Sequence, residues 1–154
     1  TGGCGFIGHH VVEHLYRNTD WEIIILDKLS YASNGYERLR DIFDERDIFT
    51  LMPDYENSFD YVIEQTCFCA IHPSRRKEYE VIVKGILKVG GHLVGLWFPL
   101  DKDIKEDGPP YGTTIDEVKS IFRNGWEITK EEFSEHSIEP RRGREKLIIF
   151  KSIS

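Results

Sequence analysis

The chain predicts an α/β protein of the doubly wound, Rossmann-like kind: a three-layer sandwich around a mostly parallel sheet whose last strand runs antiparallel. Three observations carry this. Gly2, Gly5 and Gly8 stand three apart and open an amphipathic pattern that begins at Phe6. The run Glu22-Ile23-Ile24-Ile25-Leu26 reads as a strand buried on both faces and ends in Asp27. Helical and strand patterns then alternate until two strand patterns follow one another at the end with no helix between them. A glycine-rich turn opening a helix lets backbone N–H groups approach a phosphate at the helix's positive end. An acid about 20 residues further on is placed to accept ribose hydroxyls.

The helix after the turn carries Ile7, Val11 and Leu15 on one face and runs to about Asn18. Asn34 and Glu37 form a capping box for a short helix with Tyr36, Leu39 and Phe43 inward. Asp47–Thr50 reads as the end of the next strand, with Asp47 near the adenine edge of the site, and Phe59–Glu64 reads as another strand. From Pro73 a helix presents Tyr79, Val83 and Ile86 on one stripe and stops at Gly90-Gly91, a C-cap signal. His92–Phe98 is a strand, and Pro99–Gly112 a long loop of the kind that covers sites. Thr114 and Glu117 cap a helix with Ile115, Val118 and Phe122 inward. Trp126–Phe133 and Lys146–Lys151 are the final strands. They are expected to run antiparallel because no helix is available to carry a crossover. A dinucleotide fold also places a central strand ahead of its glycine turn. Only Thr1 precedes Gly2, so residues ahead of Thr1 are expected to supply that strand, the other possibility being a segment from elsewhere.

With 154 residues, 40% hydrophobic and 31% charged, the chain is long enough for one well-buried core, and one domain over 1–154 is expected. A formal charge of −7 argues against nucleic acid or an anionic membrane as partner, leaving a small-molecule nucleotide cofactor. No apolar run is long enough to span a bilayer, and no signal-peptide pattern appears. Cys4, Cys67 and Cys69 make no disulfide framework, which points to a reducing cytoplasm. Cys67-x-Cys69 with His72 falls one ligand short of a zinc set, so no metal is expected. Cys69 has no base at fixed spacing to activate it, and His9 and His10 are read as solvent-facing.

Two resemblances are carried by these residues. Thr1 to about Ile42 resembles the extended short-chain dehydrogenase/reductases of the nucleotide-sugar 4,6-dehydratase type. TGGCGFIG matches that family's TGxxGFIG, and Leu26–Ala32 matches the segment that holds the adenosine ribose. Residues 45–154 resemble the class I methyltransferases that use S-adenosylmethionine, within the thiopurine methyltransferase-like group that includes the thiol, thiocyanate and halide methyltransferases. The matching residues include Phe59–Ile63, Phe68–Pro73, Leu96–Asp101, Gly108–Tyr111 and Glu139–Leu147. The seam falls between Arg40 and Arg46, and two resemblances joined there imply a chimera, recombined or engineered.

The Tyr-x-x-x-Lys pair of dehydratase chemistry is missing: Tyr36 meets Arg40 at that distance, and Tyr79 meets Lys84 one residue late. The methyltransferase glycine loop is only half present, because the third glycine comes one residue late at Gly8. The expectation is therefore a nucleotide-binding domain that holds NAD and catalyses little. Its cofactor-binding residues are Gly2, Gly5, Phe6, Ile7, Gly8, Asp27, Lys28, Leu29, Asp47 and Ile48. NAD is favoured because helix N–H groups aimed at an anion suit a pyrophosphate better than a sulfonium. The alternatives are an S-adenosylmethionine-dependent methyltransferase, needing mainly in-line positioning of a soft nucleophile, and a folded scaffold that binds neither cofactor. Tyr111 either lines a substrate pocket, as the resemblance implies, or packs at its rim. Glu139–Arg144 is read as a solvated hairpin connection in preference to an anion site.

Overall fold

The structure is a computed structural model that describes residues 8–26 and 45–154. Gly2, Gly5, Phe6, Ile7, Asp27, Lys28, Leu29 and the expected helix around Asn34–Phe43 lie outside the described residues. Helix α1 (Gly8–Asn18) leads to β1 (Ile25–Leu26), which pairs in parallel with β2 (Glu45–Arg46) as a two-stranded sheet. The second sheet has four strands. β3 (Phe59–Gln65) is followed by α2 (Arg76–Ile86), β4 (Leu87–Trp97), α3 (Ile115–Ile121), β5 (Trp126–Glu132) and β6 (Lys146–Ser152). Their order is β3-β4-β6-β5, with β3 and β4 parallel and β6 antiparallel to both its neighbours. The α/β class and the antiparallel last strand are as the sequence predicts, and β6 lies between β4 and β5.

Several features differ from expectation. The strand read over Glu22–Leu26 is confined to Ile25–Leu26, and the helix expected from Pro73 begins at Arg76 after a 3-10 turn over Pro73–Arg75. In α1 the buried residue is Val12, while Val11 stays exposed. The two valines are adjacent, and packing selects one that the Ile7/Val11/Leu15 stripe did not name. The strand before Asp47 stops at Arg46. Asp47 Oδ1 accepts the Phe49 N–H at 2.9 Å and bends Ile48–Thr50 into a 3-10 turn. Helix α2 ends at Ile86, four residues before Gly90-Gly91, because Leu87 is already extended. The glycines lie inside β4, where pairing skips from Phe59↔Leu87 to Tyr61↔His92. Gly90, at φ +87°, allows the surplus residues to bulge out of the ladder.

The core lies on one face of the four-stranded sheet. Tyr79, Ile82, Val83 and Ile86 of α2, with Val118 and Phe122 after the α3 cap, cover Val62, Leu93, Trp97, Ile148 and Phe150. The Thr114 hydroxyl accepts the Glu117 N–H at 3.0 Å, the cap that the sequence places there. Each large side chain so buried contributes about 1.5–3 kcal/mol. Gly95 in β4 is fitted to this packing, since a Cβ there would stand 2.6 Å from the Trp97 indole. Gly95→Ala is expected to destabilise the fold by about 1–3 kcal/mol through overpacking, read as a lowered urea midpoint at unchanged m-value.

Candidate functional site

Because β3 and β4 are parallel and β6 returns antiparallel, three connections emerge at one end of the sheet. They are residues 66–75 after β3, 98–114 after β4, and 133–145 between β5 and β6. The register places Lys146, the first residue of β6, opposite Trp97, the last of β4. The guanidinium of Arg75 sits 3.5 Å above the Phe49 ring, which brings the Asp47 turn to the same end. This is the end at which ligands of open α/β sheets bind.

The first wall is held from below. Glu64, 2% exposed at the end of β3, accepts the Phe68 N–H at 3.0 Å and the Tyr79 hydroxyl at 2.5 Å. One buried carboxylate thus ties the exit of β3 to α2 and starts the 3-10 turn Phe68–Ala70. Between them Thr66 takes a left-handed φ of +66°, unusual for a β-branched residue and of the kind that gathers at functional sites. His72 closes the wall. Its Nδ1 accepts the Ser74 N–H at 3.3 Å, so in the neutral ring the proton is assigned to Nε2.

The second wall is the loop after β4. The Tyr111 N–H donates to the Cys69 carbonyl at 2.7 Å, and the Tyr111 ring meets His72 edge-on at 5.4 Å. Thr113 N–H donates to the Pro99 carbonyl and closes the loop at its base. Arg76, fully buried in α2, donates to the carbonyls of Tyr111 (3.3 Å) and Gly112 (3.0 Å) and pairs with Glu117 at 2.9 Å. Glu117 also accepts the Thr113 hydroxyl at 2.8 Å.

The third wall brings cations. Arg141 and Arg144 stand 4.7 and 5.3 Å from the Phe98 ring, and Arg144 pairs with Asp101 at 2.7 Å. That pairing holds the Asp101 carboxyl below its ordinary range. Ser137 donates to Glu145 at 2.8 Å, fixing the carboxylate beside Arg141. The turn expected to be merely solvated therefore has two of its arginines drawn onto Phe98.

Of the predicted site residues that the structure describes, Gly8 opens α1 and Asp47 is exposed at the cap of its turn. Ile48 is 2% exposed, with its side chain in the core. Tyr111 packs between its loop and His72. Sequence reasoning missed Glu64 and Arg76. The only signal for either was a charged residue inside an otherwise apolar strand or helix stripe, and periodicity alone does not say which way such a residue faces. Among the described residues no group of three or more His, Cys, Asp or Glu side chains is placed to hold a metal ion. No helix among them is long and apolar enough to cross a membrane.

The fold is a Rossmann-like α/β domain shared with methyltransferases of known structure. A structure of an S-adenosylmethionine-dependent methyltransferase from Methanosarcina mazei superposes with a TM-score of 0.72 at 15% identity, over 98% of this chain and 90% of that one. The family profile of thiopurine S-methyltransferase (TPMT) matches residues 36–151. The chain belongs to that family. A probable thiol methyltransferase of Arabidopsis thaliana is 34% identical over 73% of this chain and 48% of its own length. A thiocyanate methyltransferase of Brassica oleracea is 30% identical over 99% of this chain and 68% of its own. The chain thus spans about half of the first relative's length and two-thirds of the second's.

These findings overturn the NAD expectation. The likeness to a dTDP-glucose 4,6-dehydratase of Neisseria gonorrhoeae is 54% identical but covers 44 residues, 29% of this chain and 12% of that protein. The physical reason for the misreading is that a glycine turn followed by an acid recognises adenosine, which NAD and S-adenosylmethionine share. The methyltransferase family profile covers residues 36–151 and so begins at Tyr36, ahead of the seam expected between Arg40 and Arg46. The cofactor indicated is S-adenosylmethionine.

Cys69 can be set aside as a nucleophile. Burial pushes its thiol from 9.0 up to about 12, with Glu64 adding to the rise, and its Sγ donates to the Thr66 carbonyl. Because the folded value lies above the unfolded one, the stability this thiol contributes is intact below pH 9.0 and is lost as pH rises toward about 12. Iodoacetamide at pH 8 is expected to leave Cys69 unmodified in the native chain and to alkylate it in urea, as read by peptide mass spectrometry.

Proposed function

We propose that residues 1–154 form one cofactor-binding domain of a methyltransferase that transfers a methyl group from S-adenosylmethionine to a small soft anion, a thiolate or thiocyanate. The observation that carries this reading is the third wall, where Arg141 and Arg144 lie against Phe98 at the cleft's mouth. Each guanidinium is paired with one carboxylate, Arg141 with Glu145 and Arg144 with Asp101, and such forked groups over an aromatic floor carry further N–H donors suited to an anionic acceptor. The names of the relatives, thiol and thiocyanate methyltransferases, support the same acceptor class. Bound S-adenosylmethionine supplies a methyl group already activated on a sulfonium. The chain's own task is then to align and desolvate the acceptor, and that requires neither a reactive cysteine nor a poised base.

The donor chemistry at the described end of the sheet suits this cofactor. Asp47 presents an exposed carboxylate at the exit of β2, suited to the adenine amino group, and the turn after β3 at Thr66 offers main-chain groups at the same end of the fold. Ile48 keeps its side chain in the core and supports Asp47 from behind. In this reading Gly2, Gly5, Phe6, Ile7 and Gly8 form the turn over which the cofactor lies. Asp27 holds the ribose, with Lys28 and Leu29 beside it. A joined ancestry, natural or engineered, rests on the 44-residue dehydratase likeness alone. It stands below the single-family reading because the Brassica relative matches along 99% of the chain.

S-Adenosylhomocysteine is expected to raise the melting temperature of the chain by mass action, with NAD at the same concentration giving no shift. The reverse pattern would remove this reading. With S-adenosylmethionine present, hydrosulfide is expected to yield methanethiol, detected by headspace gas chromatography. Asp47→Ala should weaken S-adenosylhomocysteine binding about tenfold by titration calorimetry, the loss of one charge-assisted hydrogen bond. It should also cost about 1 kcal/mol of stability through the lost cap.

A further inference from the structure

We infer that Arg76 is a positioning residue for the acceptor wall, setting Tyr111 over the cleft through the loop backbone without touching the acceptor itself; the acceptor part of this inference rests on the cleft reading above. A fully buried guanidinium carries a desolvation cost that only well-made partners offset. Arg76 has three sets of them. Nη1 pairs with both oxygens of Glu117 at 2.9 and 3.0 Å, and it also donates to the Gly112 carbonyl at 3.0 Å. Nη2 donates to the Tyr111 carbonyl at 3.3 Å, and the guanidinium lies 4.5 Å from the centre of the Phe68 ring. Only Nε lacks a partner. Had the role been to join α2 to α3, the Glu117 pair would suffice. The remaining donors go instead to two consecutive carbonyls in a segment that belongs to neither helix nor strand.

That segment has little room to move. A Cβ at Gly112 would stand 2.1 Å from the Lys102 carbonyl, and one at Gly108 would stand 2.6 Å from the Tyr111 ring. Tyr111 N–H is bonded to Cys69 on the first wall, and its ring leans on His72. Fixing the Tyr111 and Gly112 carbonyls from below therefore fixes the direction of the Tyr111 ring from above. A planar fork can reach Glu117 and two carbonyls at once, whereas an ammonium on a flexible stem cannot hold all three in one geometry.

Arg76→Lys in the 154-residue chain tests this. Hydrogen exchange should show the Tyr111 and Thr113 amides losing protection roughly tenfold, while the β4 amides keep theirs. The Kd of S-adenosylhomocysteine should stay within about twofold, since the cofactor side is untouched. With hydrosulfide as acceptor, KM should rise about tenfold and kcat change by less than about threefold, the sign of lost uniform binding. Tyr111→Ala should produce the same KM rise, and the double variant should be no worse than either single one. If Arg76→Lys does not fold, Glu117→Gln replaces it, with the same loop-confined loss of protection expected at smaller amplitude. Unchanged protection at Tyr111, or equal loss across β4, would overturn the inference and leave Arg76 a stabiliser of the fold. If the parent chain turns over no hydrosulfide, the acceptor reading fails and this inference fails in its acceptor part. The exchange result then decides separately whether Arg76 pins the loop.

Discussion

The architecture converges on the ring of Phe68. It meets Trp97 edge-on at 5.1 Å, Tyr79 at 5.8 Å and Phe122 at 6.3 Å, so β4, α2 and the end of α3 all abut one side chain. Aromatic pairs in these orientations add to area burial because the positive edge of one ring meets the negative face of another. Phe68 does not sit in the middle of an element. It starts the one-turn helix that leaves β3, with its N–H held by Glu64 and its face under Arg76. The hydrophobic core is thereby continuous with the floor of the cleft. The site loops are stiff for the same reason that the core is dense.

Much of this could be read from the chain. Alternation placed β3, β4 and the final pair of strands, and the Thr114–Glu117 box placed the start of α3. The missing crossover helix predicted the direction of β6. What escaped was set by tertiary choice. Gly90-Gly91 carries a helix-stop signal, yet the same pair can serve a bulge, and only the partner strand decides between them. Glu64 and Arg76 sit where a strand and a helix stripe turn inward, and their burial depends on partners 15 and 41 residues away, Tyr79 and Glu117. Local pattern has no access to such distances.

The cofactor misreading has a different origin. The glycine turn and trailing acid were read as an adenosine signal and then over-read as a choice of cofactor. Adenosine is the handle common to both cofactors, so a signal for it does not choose between them. In a fold that serves many chemistries, the informative residues are those facing the part of the ligand that differs.

The reversed direction of β6 has a consequence for how such a protein can change. Because β5 arrives at the site end and β6 leaves from it, residues 133–145 are a direct strand-to-strand connection whose only helical piece is the short 3-10 turn Glu139–Arg141. Lengthening a surface loop carries only a small, logarithmic entropy cost. This third wall can therefore gain or lose residues while the ladder β4-β6-β5 below stays intact. The first wall has no such freedom, since Phe68 ties it to the core. One side of the pocket is conservative by construction and the other is open to experiment by evolution.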